Sequence, residues 1–569
     1  MNQLVVQQRR LWTLASILLA SPFSGLPLAA QGSAPLASVR ETRLEPQSSA
    51  SFDNFALALA LGPDLALVGS PGASSLNGSL VGAAYLFERQ PQGWVEVAEL
   101  RASDGAAGDR FGSAVALDGA RLAVGATGAD ANAMGSGAVY VFERGATGWS
   151  ETVKLVGVGA DVGEALGWSL ALEGDTLIAG AADDHHSGGS FDGGAAYHYA
   201  FAGGAWTQLQ RLIPGDGMAF DYFSRSLALD GDTLVVGAYS DNHMNAANGG
   251  SAYVFRRGAT GAFALAQKLI PADNGSNDLF GWSVALLGGE LVVGAPGDTL
   301  SGAFEAGSAY VFADTPTGFA FVEKLLSPDL QAGARFGSSA ALGGGALIVG
   351  ASQAHSPVGQ FTGNAYLFER SAAGFVFNAP LRSTALELGA DFGFAAATDG
   401  ERVLIGAPGD DTRLAGQNAG AAYVYRLTPE AETYCTAKVN GLGCTPAIHF
   451  AGRPSVSATA PFTIGATNVL NQRSGLLVYG YASAATPFQG GVLCIAPPLI
   501  RTSPQTSGGS ASGADCSGAY GLDFGALLAS GVDPELFVGA EGFAQYWSRD
   551  PFSVPAIGLT DAVRFLVRP

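Results

Sequence analysis

Two series of carboxylates recur at intervals in this 569-residue chain, and they are the first residues whose type and spacing could do chemistry. One series is Asp53, Asp109, Glu164, Asp221 and Asp278; the other is Asp130, Asp184, Asp241, Asp298 and Asp410. Gathered on one rim, such groups would attract cations or amines. Set in turns, the same groups would accept hydrogen bonds from their own loop's N–H groups. Both readings are open at this point. Histidines join the second series: Asp183, Asp184, His185 and His186 share one loop, and Asp241 and His243 occupy the matching loop of the next repeat. Imidazole with carboxylate in convergent loops is a transition-metal donor set. Trp168 and Trp282 also stand in matching places, where they would pack between repeats or stack on a sugar ring.

Catalytic constellations are not legible. The chain has no Gly-x-Ser-x-Gly elbow, no His-Glu-x-x-His and no phosphate loop. Carboxylates copied from repeat to repeat lack the unequal, singular pair that glycoside hydrolysis requires. The expectation is a non-enzymatic protein that binds or adheres through one face. The alternatives are a structural extracellular protein without a discrete ligand and, third, a carbohydrate-active or metal-dependent enzyme.

The elements that must hold these residues follow from a period. Phe55, Phe111, Leu166, Phe223, Phe280, Phe336 and Phe392 stand 55 to 57 residues apart; each is followed after 14 positions by Gly and preceded by 11 positions by Leu. In the second copy, Phe111 to Leu117, Leu122 to Ala126, Gly137 to Phe142 and Trp149 to Leu155 read as four short strands separated by turns. Gly119 marks a tight hairpin between the first two. Each copy is then a four-stranded antiparallel sheet, and seven such sheets packed face to face make an all-β, seven-bladed β-propeller. The seventh copy ends after its third strand, at Tyr425. Ser38 to Leu44, with Leu44 at the offset of a fourth strand, is expected to close blade seven from the N-terminus.

Phe111-Gly112, Phe280-Gly281, Phe336-Gly337 and Phe392-Gly393, with Gly294-Ala295-Pro296 and Gly406-Ala407-Pro408, resemble the FG-GAP repeat of integrin α-subunit propellers and many secreted bacterial proteins. The resemblance spans about residues 36–427 and implies the propeller fold. Integrin-type repeats often carry an acidic calcium loop between strands one and two. Here only short hairpins such as Leu229 to Leu234 stand at that place, too short to wrap six to eight oxygens around an ion. No cofactor is expected.

Residues 1–30 carry Arg9-Arg10, an apolar run from Leu11 and a small-residue end at Ala29-Ala30, which reads as a secretory signal peptide. The expected organisation is therefore signal peptide 1–30, propeller 31–427, linker 428–433 and a C-terminal Cys-containing β domain 434–569. With 29 basic and 49 acidic residues, net charge −20, nucleic acid and anionic membranes are poor partners. An extracellular protein or glycan is expected instead, and secretion or surface display. Cys435, Cys444, Cys494 and Cys516 all lie in the C-terminal part, without a C-x-x-C pair. In an exported chain they read as two disulfides, with Cys435–Cys444 and Cys494–Cys516 the favoured pairing in a small sandwich-like domain.

Overall fold

The computed structural model describes residues 41–567, apart from 49, 75–77, 91–92, 186–191, 244–245, 356–360, 372–373, 384–385, 412–416, 428–430, 453, 457–460 and 538–539. The expected signal peptide, residues 38–40 of the closing strand and His186 lie outside the described residues.

Among the described residues there are seven four-stranded antiparallel sheets. In the second, Phe111–Asp118, Arg121–Ala126, Ala138–Gly145 and Gly148–Leu155 pair in chain order. The hairpin after Asp118 turns through Gly119 at φ 57, a left-handed conformation that glycine adopts without a Cβ penalty. The seventh sheet has only three strands of its own, Ala396–Thr398, Arg402–Ala407 and Ala421–Arg426. Its fourth is Glu41–Leu44, which lies antiparallel to the third with Leu44 opposite Ala422 and Arg43 opposite Tyr423.

Each start residue is buried, and the six phenylalanines among them meet the aromatic pair of their own third strand, mostly edge-on. Phe111 lies 5.5 Å from Tyr140 and 6.1 Å from Phe142, centroid to centroid. A fully buried phenylalanine contributes about 1.5–3 kcal/mol by its apolar area. The apolar clusters do not belong to single sheets but to pairs of consecutive ones. Leu67, Leu86 and Leu100 of the first sheet pack with Phe111, Val115 and Val124 of the second. The same kind of cluster joins Leu44, Leu404 and Val424 of the seventh sheet to Phe55, Val68 and Tyr85 of the first. A backbone hydrogen bond also recurs at each junction, as from Phe111 N to Val81 O (3.0 Å) and from Phe280 N to Gly249 O (2.9 Å). The bond from Phe55 N to Ala419 O (3.1 Å) makes the same link between the seventh sheet and the first.

Simple alternation along the first strand would place residue Ser113 on the face of Phe111. The structure differs: Phe111 pairs with Ala126 and Ala114 with Gly125, so two residues bulge out of the ladder between them. The same shift lies between Phe223 and Ser226 and between Phe336 and Ser339. The bulge removes the second residue after the start from the inter-sheet core and turns it toward a cavity.

The C-terminal region has two sheets around one core. One contains Ala431–Tyr434, Ile557–Leu566, Glu541–Arg549 and Ser474–Gly480; the other contains Ala447–Ala451, Thr463–Val469 and Gly518–Asp523. Ile464 and Ala466 face Leu477, Tyr546 and Val563 across it. Residues 431–433, read from sequence as linker, are strand in this sheet. A short helix, Phe524–Ser530, also stands where the sequence suggested only strands; Asp523 caps its N-terminus by accepting from Ala526 N, and Gly531 at φ 59 ends it. The disulfides correct the favoured pairing: they are Cys435–Cys494 and Cys444–Cys516, joining segments 59 and 72 residues apart. The strand before Cys435 is held by the C-terminal strand, whereas Cys444 is folded back in a tight loop on the Asn440 side chain. Neighbours in sequence are thereby carried to different partners.

Candidate functional site

One residue from every sheet, two places after the start, lines a single cavity of about 520 Å³: Leu57, Ser113, Trp168, Arg225, Trp282, Ser338 and Phe394; in the second, fourth and sixth sheets this residue lies in the bulge. Trp168 and Trp282 are therefore brought together, as neighbours on either side of a residue the carboxylate and tryptophan readings had passed over. The Arg225 guanidinium carbon lies 5.3 Å from the Trp168 ring centroid and 4.9 Å from that of Trp282. Cation–π attraction to both indoles holds it, while among the described residues its side chain makes no hydrogen bond and no ion pair. Burial pushes this guanidinium below its ordinary range, against the opposing charges of Tyr239 and Asp183. Trp282 in turn meets Tyr239 edge-on at 4.9 Å, and Tyr239 stacks on Tyr222 at 5.3 Å.

A second layer comes from the residues just before the start positions. Asn54, Arg110, Arg335 and Asp391 all have positive φ, between 50 and 57, which turns each chain sharply into its first strand. Arg335 and Asp391 line the same cavity, and Asn54 and Arg110 an adjoining one of about 380 Å³ that shares Trp168 and Arg225. Burial pushes the Asp391 carboxyl up to about 6 despite Arg335. Burial, followed by the charge of Asp192, pushes Asp183 up to about 6 as well.

The recurrent carboxylates do not form the expected charged rim. Of the ten, Asp130 alone is exposed, and it accepts from Gly135 N at 2.7 Å. Asp53, Asp109, Glu164, Asp221 and Asp278 are at most 6 % exposed. Each accepts from the backbone N–H three residues earlier, as Asp109 does from Ala106 at 2.8 Å and Asp221 from Met218 at 2.6 Å. Asp184, Asp241, Asp298 and Asp410 are buried in ion pairs. Asp241 accepts from Ser251 and Tyr253 and pairs with Lys268 at 2.7 Å; Asp298 pairs with Lys324 at 2.6 Å; Asp184 is bound by Arg211 and Tyr197. In the seventh sheet Asp410 is bound by Tyr423 and, at 3.2 Å, by Arg43 of the N-terminal strand. Burial unaided would neutralise these acids, so each is matched by a base on strand four. Hairpin carboxylates are engaged too: Asp118 accepts from Gly174 N of the next sheet at 2.6 Å, and Asp230 from Gly288 N at 2.7 Å.

Of the expected metal-site histidines, His185 and His243 are described, and they are not gathered into a metal centre with other described residues. His243 shares a hydrogen bond with the Gly250 carbonyl at 2.8 Å, and His185 faces Asp192 at 3.8 Å. Among the described residues no group of three or more His, Cys, Asp or Glu is placed to hold an ion.

The FG-GAP repeat model matches residues 94–142, 149–199, 206–255, 263–312, 319–368 and 387–425, together about half of the chain. The chain belongs to the FG-GAP repeat family. Among curated proteins no match was found. Five of the six FG-GAP matches run from strand four of one sheet to strand three of the next, and the sixth begins just after strand four, so the repeat is out of step with the sheets by one strand. The geometry also explains the family's glycines. Gly281 of Phe280-Gly281 has φ 94, and a Cβ there would stand 2.2 Å from the Ser251 carbonyl oxygen. At Gly294, of Gly294-Ala295-Pro296, a Cβ would stand 2.0 Å from the Gly337 oxygen of the following sheet. At Gly406 the atom met would be the Ala56 oxygen of the first sheet, at 2.3 Å.

Arg225, Arg335, Asp391 and Phe394 escaped sequence reasoning because they carry no motif. The signal was the column itself: two places after the start the seven copies hold Leu, Ser, Trp, Arg, Trp, Ser and Phe, amid neighbours that scarcely change. A second signal was the base one place before the strand-four leucine, Arg43, Lys154, Arg211, Lys268 or Lys324, which meets the buried loop Asp in four of these five copies and Asp104 in the fifth.

Proposed function

We propose that the repeat region closes as a seven-bladed β-propeller, and that the chain is an exported, non-enzymatic binding protein that takes an extracellular glycan or protein at the mouth of its axial cavity. The carrying observation is the convergence of one equivalent residue from each of seven sheets on one cavity. Only sheets disposed about a common axis place equivalent residues side by side in this way. The apolar cluster and the backbone bond between the seventh sheet and the first support closure. The cavity has the size of small-molecule sites, with aromatic walls and a few polar groups. Two disulfides favour an oxidising compartment, and no helix among the described residues is long and apolar enough to cross a membrane.

The test is a glycan array and a capture experiment from extracellular material with the full mature chain and the double variant W168A/W282A. Specific retention that the variant loses, at an unchanged melting temperature, supports the reading. Retention indifferent to both tryptophans would refute this cavity as the site. No specific retention at all would favour the competing view of a structural extracellular protein, to which the burial of the recurrent carboxylates already lends weight.

A further inference from the structure

Arg225 is the anomaly of the cavity. A guanidinium has five N–H donors in a planar fork, and a buried one normally meets a carboxylate or carbonyls. Another base of the cavity behaves so: Arg335 donates to Glu305 at 3.0 Å. Arg225, half-buried, instead lies against two indoles and has no hydrogen-bond acceptor among the described residues. Held against the two indoles, the fork offers N–H donors that suit a planar oxyanion.

The surroundings narrow the ligand further. The molecule as a whole carries net charge −20, which disfavours a long polyanion lying across its surface. Yet the recurrent carboxylates are internally paired or capped, so the charged groups lining the two cavities are Arg110, Arg225, Arg335, itself paired with Glu305, and one acid, Asp391. The remaining lining mixes hydroxyl and amide groups, Ser113, Ser338 and Gln353, with the ring of Phe394. Hydroxyls that give and accept hydrogen bonds beside an aromatic face suit a pyranose. A peptide terminus would call for backbone pairing at a sheet edge instead.

We propose that the cavity binds a carboxylated sugar, a uronate or the acidic end of a short uronate-containing glycan, with its carboxylate on the guanidinium edge of Arg225. This rests on the reading of the cavity as the binding site. The test uses calorimetric titration of the full mature chain with trigalacturonate, its methyl-esterified form and neutral trigalactose. Saturable binding of the acid is expected, with the ester and the neutral sugar weaker by roughly tenfold to a hundredfold, the worth of a hydrogen bond to a charged group. Arg225→Gln should erase that preference. Equal binding of acid and ester by the unsubstituted chain overturns the proposal without any question of misfolding. Neutral binding that Trp282→Ala abolishes would overturn the carboxylate while leaving the cavity as the site. Absence of all saccharide binding overturns it too, and the capture experiment then decides separately whether the cavity serves another ligand.

Discussion

Replacing His198 with leucine should make the protein's stability less sensitive to acid. His198 stands on the third strand of the third sheet, where the equivalent residues are Leu86, Val141, Val254, Val311, Leu367 and Val424. It is 1 % exposed, packs edge-on against Phe263 at 5.1 Å, and neither ring nitrogen has a hydrogen-bond partner. Burial, aided by the charge of Arg257, lowers its pKa from 6.5 to about 4. The folded state therefore binds fewer protons than the unfolded chain between these values. Stability is full above pH 6.5 and is lost as pH falls toward about 4. At 1.36 kcal/mol per unit, the loss is about 3 kcal/mol. Asp183, Asp221 and Asp391, pushed up to about 6, act in the opposite sense, since protonation favours their folded form. Their contribution cancels in the difference between His198→Leu and the unsubstituted chain. Urea titrations at pH 7.5, 6.5, 5.5 and 4.5 should show that difference growing in the variant's favour by about 3 kcal/mol as acid is added. A difference that stays constant across the series would refute a buried neutral imidazole.

Three further outcomes are expected. Arg43→Met strands the Asp410 carboxylate, buried at 0 % exposure, and should cost about 3–5 kcal/mol in urea, as should deletion of residues 41–44 or more; an unchanged midpoint would argue against the N-terminal clasp. Gly294→Ala forces a Cβ to 2.0 Å from the Gly337 oxygen and should lower the melting temperature sharply, whereas Gly215→Ala, with nothing within 4 Å, should be near neutral; similar effects would contradict the close approach of neighbouring sheets. Asp130→Asn keeps the bond from Gly135 N and should change stability by no more than about 0.5 kcal/mol, while Asp241→Ala deprives Lys268 of a buried partner and should be strongly destabilising in the same melting assay.

The four-stranded unit and the N-terminal strand were legible because they depend on local pattern: Leu44 sits at the strand-four offset, and it pairs where that offset requires. What the carboxylates do was not legible, since the partner of Asp241 is Lys268, a strand and a loop away, and period-two reasoning does not carry that far. The cavity was half visible. Trp168 and Trp282 stood out by their size, but the turn of their column toward one cavity rests on the segment just before the first strand, and in three sheets on a register shift, neither of which leaves a mark in hydrophobic alternation. The disulfides escaped for a similar reason, because proximity in sequence says nothing once a strand has carried Cys435 to the far edge of its sheet.

The half-step between repeat and sheet bears on how such a chain can lengthen. A duplicated segment from strand four to strand three would supply the outer strand of the sheet before it and the three inner strands of the sheet after it. Insertion within the array leaves every sheet with four strands and leaves Glu41–Leu44 free to complete whichever sheet comes last. Had the copied unit coincided with a sheet, each end would have been complete in itself, and nothing covalent would have held the last to the first. Unit-by-unit growth is thus compatible with an unchanged fastening, and the number of units is limited by the fit of neighbouring faces rather than by the ends.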